Sequence, residues 1–225
     1  SAKVSGIPKI SEKVNLGRKS KVLVYSFMSL IIFSGLVLPM SVLSYWLIRG
    51  LAAGNSVRTV FGGVIGSLSV SLLAALFSII ISTPIIIMVS QYRSKFGNVL
   101  ERIMLALYGL PHISVGVAIL YITIKIFPSI YQSLTALIIS YLIVFLPQAI
   151  GAGQASMEQV KLTYLDASAG LGMSKLQSFY RITLPLIYRG LFAGGSLVFL
   201  STMKELPQTL LLRPTGLNTM SVDIW

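Results

Sequence analysis

Residues 166–185 read DASAGLGMSKLQSFYRITLP. They lie in a stretch, 156–185, that is too polar for lipid and too well patterned for a plain linker. The reading is two short helices joined by a turn. The first ends near Gly170-Leu171-Gly172, where glycine can take the left-handed conformation that terminates a helix. The second starts at Ser174, a good N-cap residue, with Gln177 three positions on in the capping-box place. Leu176, Phe179, Tyr180 and Ile182 then recur mainly at helical spacing, and Pro185 is expected to break or re-aim the chain where it re-enters the membrane.

Outward from this stretch the chain is apolar. Of 225 residues 55% are hydrophobic and only 11% charged, against about 25% charge in an ordinary soluble domain. That excludes a water-soluble globule, a disordered chain and a collagen-like repeat. A helix needs roughly 20 apolar residues to cross the hydrocarbon core. Residues 22–48 carry no charge and form the first expected span. The second is placed at 64–90, whose Gly- and Ser-containing start (Gly62, Gly63, Gly66, Ser67, Ser69, Ser71) is expected to pack against a neighbouring helix. The third is 103–124, interrupted by Gly109 and Pro111, and the fourth 129–150, with Pro147 near its end. Between Arg189 and Lys204 only a short apolar run remains, so the fifth span, 186–206, needs Arg189 to snorkel at one end and Lys204 and Glu205 to lie toward the other. Pro207 to Trp225 is too broken for another. The fold class is therefore all-α, a polytopic transmembrane helical bundle of five spans, preceded by a basic segment over residues 1–21.

Eighteen Lys and Arg against six Asp and Glu give a net charge of +12. With the N-terminus inside, thirteen Lys and Arg fall on the cytoplasmic side and five outside, so the positive-inside rule selects that orientation and makes 156–185 a cytoplasmic loop. The partner of the basic residues is then lipid headgroup rather than nucleic acid, because no aromatic interleaving accompanies the charge. The absence of cysteine removes any disulfide framework and any Cys-based zinc or redox site, and leaves the compartment undecided.

The segment Asp166-Ala167-Ser168, three residues, Gly172, nine residues, Ile182-Thr183-Leu184-Pro185 closely resembles the EAA motif, E-A-A-x3-G-x9-I-x-L-P, of permease subunits of ABC importers. Asp166 stands for the usual Glu and Ser168 for the second Ala. Residues 203–214 and 46–51 resemble segments of the ferric-iron branch, in particular its C-terminal half. The resemblance implies a type I importer permease in a bacterial inner membrane. Its loop would dock an ATPase through Asp166, Ala167, Ser168, Gly172, Ser174, Ile182, Leu184 and Pro185. The implied partners are ABC ATPase subunits, a periplasmic or extracellular substrate-binding protein and a second permease half, fused or separate. ATP would be bound by the separate subunit, so no cofactor is expected in this chain, which has no Gly-x4-Gly-Lys-Ser/Thr loop. The implied solute is ferric iron, with thiamine, polyamine and phosphonate as alternatives. In the family the chain continues on both sides of such a segment, so a piece of a larger permease is expected, inactive in transport by itself.

Three residues stand out inside the spans. His112 follows Pro111 about nine residues into the third span, roughly 14 Å deep at 1.5 Å per residue. It is either a neutral imidazole bonded to a neighbouring helix or part of a translocation path; a metal role is not expected, since no Cys, second His or carboxylate shares its helix. Lys204 and Glu205 either snorkel at the interface or line an outward gate, on a helix continuing to Leu212 with a kink at Pro207. Burial of either unpaired would cost about 2.5–3.5 kcal/mol and would demand a partner on another helix. A channel or secondary transporter would place acids mid-span, whereas Glu101, Glu158 and Asp166 all map to cytoplasmic loops. An enzyme would need a nucleophile–base pair or a metal cluster, and one His with no Cys supplies neither.

Overall fold

The computed structural model describes residues 17–54, 58–92, 95–160 and 162–225. Residues 1–16 of the basic segment, with Arg93 and Lys161 of the charge count, lie outside the described residues. The chain forms two units, residues 1–57 and 58–225.

In the first unit, α1 (Arg18–Ile32) and α2 (Leu38–Ala52) join through a π turn at Phe33–Val37 into one apolar helix of 35 residues. The turn explains why Pro39 does not break it. The Leu38 N–H reaches back to the Phe33 carbonyl, widening the helix just before the residue that lacks an N–H. The helix starts at Arg18, so the last residues of the basic segment are helical.

The second unit is built on three packed helices, α3 (Arg58–Tyr92), α6 (Leu134–Met157) and α9 (Leu184–Met203). Without a hydrophobic drive between helices in lipid, close approach at small residues supplies the packing. Gly190 and Gly194 of α9, four apart, lie against α6. A Cβ at Gly194 would stand 2.8 Å from the Ala149 carbonyl oxygen and 2.9 Å from its Cα. On α3, Ser67, Ser71, Ser78 and Ser82 share one buried face, with Ser78 and Ser82 donating to carbonyls of their own helix. The core between the helices has one cluster around Tyr141, Phe145, Val198 and Leu212 and a second around Ile86, Ile150, Met157 and Ile187.

The third span differs from its expectation. Residues 103–124 are not one helix but parts of α4 (Lys95–Tyr108) and α5 (His112–Lys125), bent by 105°. Pro111 has no N–H and disfavours helical backbone at the residue before it, residues 109–111 lie outside any helix, and the proline's own ψ of 129° turns the chain before His112 begins the next one. Among the described residues four helices are thus long and apolar enough to cross, or five if the bent pair counts as one span. The fourth span begins at Leu134 rather than 129, because Pro128–Ile130 forms a 3-10 turn and Ser133 caps α6 by accepting from the Ala136 N–H at 3.2 Å. It runs on to Met157, past the expected end at 150.

The fifth span also differs at both ends. α7 (Leu162–Gly170) precedes the turn, and α8 (Lys175–Ser178) continues through a π turn at Phe179–Thr183 directly into α9, a helix of 29 residues from Lys175 to Met203. Pro185 therefore neither breaks nor re-aims the chain. The Leu184 N–H bonds to the Phe179 carbonyl, the same device that precedes Pro39. At the other end α9 stops at Met203, and Lys204–Leu206 separate it from α10 (Pro207–Leu212), so the helix does not continue to Leu212 with a kink. The last helix, α11 (Met220–Ile224), seats its segment on the glycine face of α3. The Met220 N–H donates to Ser67 Oγ at 2.8 Å, and a Cβ at Gly66 would collide with the Asn218 carbonyl oxygen.

Candidate functional site

Two breaks in the helical backbone meet in the second unit: the bend between α4 and α5, and the gap between α9 and α10. Irregular backbone at membrane depth is tolerated where it is buried in protein or lines a cavity. Here it does both. His112 is the first residue of α5, and its Nδ1 lies 2.8 Å from Oε2 of Glu205 in the second break. Glu205 is 6% exposed and His112 42% on their side chains, so the carboxylate is the buried partner and the imidazole faces open space. The second carboxylate oxygen accepts from the Gln208 N–H at 3.4 Å, and Gln208 Nε2 returns a bond of 3.3 Å to the His112 carbonyl. The Glu205 carbonyl accepts from Thr209 Oγ1 at 2.6 Å and from Ser221 Oγ at 3.0 Å. Since the one hydroxyl hydrogen of Thr209 goes to that carbonyl, the 2.5 Å contact between Tyr141 and Thr209 is donated by the tyrosine. α5, α6 and α10 are thereby tied at one point.

A cavity of about 320 Å³ opens beside this pair. His112, Lys204, Glu205 and Tyr108 line it with Gln148 and Ser201, whose hydroxyl donates to Gln148 Oε1 at 3.0 Å; Val144 and Phe145 form its apolar wall. The Phe145 ring meets His112 edge to face at 5.2 Å between centroids. The three residues singled out from the sequence thus converge, and the partner that a buried Glu205 requires is His112. Tyr108, Gln148, Ser201 and Gln208 were not singled out. A polar residue directly after a membrane proline, as at Pro147-Gln148 and Pro207-Gln208, was the available signal. The cavity offers an imidazole, a phenol, an amide, a hydroxyl and both signs of charge, which suits transient contact with a polar solute. Among the described residues no group of three or more His, Asp or Glu could hold a metal ion.

The loop over residues 156–185 is the second candidate site. Gly172 is the left-handed residue, with φ +77°, while Gly170 stays helical. The Met173 N–H bonds to the Ser168 carbonyl at 3.1 Å and the Gly172 N–H to the Ala169 carbonyl at 3.0 Å, a complete Schellman motif. The capping box is complete too: the Ser174 N–H donates to Gln177 Oε1 at 2.9 Å and the Gln177 N–H to Ser174 Oγ at 3.3 Å. Asp166 and Ala167 are exposed, Ser168 is buried, and Ile182 and Leu184 are half-buried at the root of α9. A groove of about 580 Å³ runs between α7 and α8, lined by Leu165, Asp166, Ala169, Met173, Leu176 and Phe179 among others. Leu171, at 81% exposure, and Leu176, at 65%, present apolar side chains on the loop.

Residues 82–224 match the family of binding-protein-dependent transport system inner membrane components. The chain is similar to the Fe(3+)-transport system permease protein FbpB 2 of Haemophilus influenzae, 29% identical over 220 residues, which cover 97% of this chain and 43% of that protein. It is also similar to the spermidine/putrescine transport system permease protein PotB of Escherichia coli, 39% identical over 69 residues, or 31% of this chain and 25% of that one. A probable ABC transporter permease of Sinorhizobium fredii, y4oR, is 27% identical over 143 residues, half of its length. The chain spans half or less of the length of each of these relatives.

Proposed function

The chain belongs to the family of binding-protein-dependent transport system inner membrane components, and on that premise we propose that it forms one half of the translocation path of an ATP-driven importer of ferric iron. As a multi-pass inner-membrane transport component it is not an enzyme. In this reading the cavity at His112, Lys204 and Glu205 belongs to the path. The loop 156–185 docks an ATPase subunit on the cytoplasmic side, and a substrate-binding protein delivers the solute from the other. The observation that carries the choice of solute is the extent of likeness: 97% of the chain aligns with the ferric permease, against 31% with the polyamine permease. The groove and exposed leucines of the loop support docking.

The test is reconstitution of the full permease with its ATPase and binding protein. Iron-dependent uptake is expected, with Gly172→Val abolishing it while the variant still inserts and ATP is still hydrolysed. A Cβ at φ +77° costs about 1 kcal/mol or more and re-aims the helix that follows. Uptake of spermidine but not iron would reassign the solute, and normal uptake by Gly172→Val would remove the coupling role of the loop.

Orientation follows from the charge count. A cysteine placed at Thr215 should react with a membrane-impermeant maleimide in intact cells and one at Ser174 should not. Labelling of Ser174 from outside would invert the topology.

A further inference from the structure

We propose that Ser168 and Ser178 are positioning residues for coupling: the hydrogen bond between them fastens α7 to the helix that continues into the membrane as α9. The proposal rests on the reading of 156–185 as the ATPase-docking loop. The two hydroxyls are 2.8 Å apart, and both residues are buried, 3% and 7% exposed. Ser168 Oγ also donates to the Leu165 carbonyl at 2.7 Å, so its single hydrogen is committed and the Ser178 hydroxyl must be the donor between them. The bond closes a span of ten residues across the Gly172 turn.

That turn needs a fastening. A Cβ built on Gly172 or on Gly170 would meet nothing within 4 Å, so neither glycine is wedged against another part of the described chain. On the far side no such weakness exists. Ser178 is the last residue before the π turn, and from Lys175 to Met203 the helix is continuous, locked to α6 where Gly190 and Gly194 allow contact. A push on α7 is therefore carried into α9 through the turn and through the side-chain bond that holds α7 to Ser178. The alanine that the EAA pattern places at position 168 could not accept this bond, so serine here has a physical consequence beyond its size.

The test uses the full permease in nanodiscs with its ATPase and binding protein. A Ser201→Cys reporter, the one cysteine of this chain, lines the cavity. Its maleimide labelling rate is measured with and without ATP-vanadate, a readout independent of the solute. In the otherwise unaltered protein the nucleotide should change the rate. Ser168→Ala and Ser178→Ala should each reduce that change about fivefold, the equivalent of one neutral hydrogen bond of about 1 kcal/mol, with the ATPase still bound. The double variant should be no worse than either single, and Ser178→Thr, which keeps the hydroxyl, should restore the response. Unchanged responses in the single variants, additive losses in the double, or no nucleotide response in the parent with the ATPase bound would each overturn the fastening. Failure of the ATPase to bind the parent would instead overturn the docking reading, and the fastening with it.

Discussion

Gly194→Val is expected to lower the stability of the folded permease by about 3 kcal/mol, a large share of what an ordinary domain has. The new Cβ would lie 2.8 Å from the carbonyl oxygen and 2.9 Å from the Cα of Ala149, and both are backbone atoms of α6 that no rotamer change can clear. The α6–α9 interface must therefore open along its length, losing the contacts that Gly190 shares with Ala152 and Ser156 one turn away. Overpacking costs typically about 1–3 kcal/mol, and a clash with fixed backbone where α6 and α9 approach closely should reach the upper end. At about 3 kcal/mol the folded fraction relative to unfolded falls roughly a hundredfold. Thermal unfolding in detergent, with the yield of monodisperse protein, checks this. Gly151→Ala is the control, since a Cβ there meets nothing within 4 Å, and it should change stability by no more than about 1 kcal/mol. A Gly194→Val protein with native stability would mean that α6 and α9 do not approach as described.

His112→Ala should be the more damaging half of the Glu205 pair. It removes the group 2.8 Å from a carboxylate that is 6% exposed and leaves the charge facing Phe145 and Val144. One-sided loss of a buried pair costs about 3–5 kcal/mol. Because the His112 side opens on the cavity, water can reach the stranded carboxylate, and about 2–3 kcal/mol is expected here. Glu205→Gln should cost less, about 1 kcal/mol, since an amide keeps the shape and can still accept from the Gln208 N–H. The double variant His112→Ala/Glu205→Gln should be more stable than His112→Ala, because it no longer buries a lone charge. Uptake should fall at least tenfold in His112→Ala, as α5 and the α9–α10 junction lose their tie. Additivity of the two substitutions within about 0.5 kcal/mol would show that the pair is not coupled.

Local chemistry was legible where it was strong. Gly172 and Ser174 announce their roles because a left-handed turn and a capping box depend on residues three or four apart, and both are present bond for bond. The existence of long apolar helices follows from composition alone. Their ends were less legible. Pro185 is read from sequence as a break, yet a π turn immediately before it, like the one before Pro39, leaves its missing N–H without consequence. Nothing in the letters of Phe33–Val37 or Phe179–Thr183 signals a π turn, which accommodates the proline that follows.

By itself the sequence determined an all-helical membrane chain, a patterned loop between its last two long spans, and the need of Glu205 for a partner, because these depend on hydrophobic run length, cap chemistry and the cost of burying charge. Only the tertiary structure decided which residue meets that need. His112 lies 93 positions from Glu205, and the two meet because Pro111 bends the third span by 105° and because α9 ends at Met203 instead of running on. The same holds for Ser168 and Ser178, whose bond depends on the angle between two short helices rather than on either one. Contacts of that kind depend on where separate helices are brought by packing at Gly190, Gly194 and the serine face of α3, and packing is a property of all the helices together.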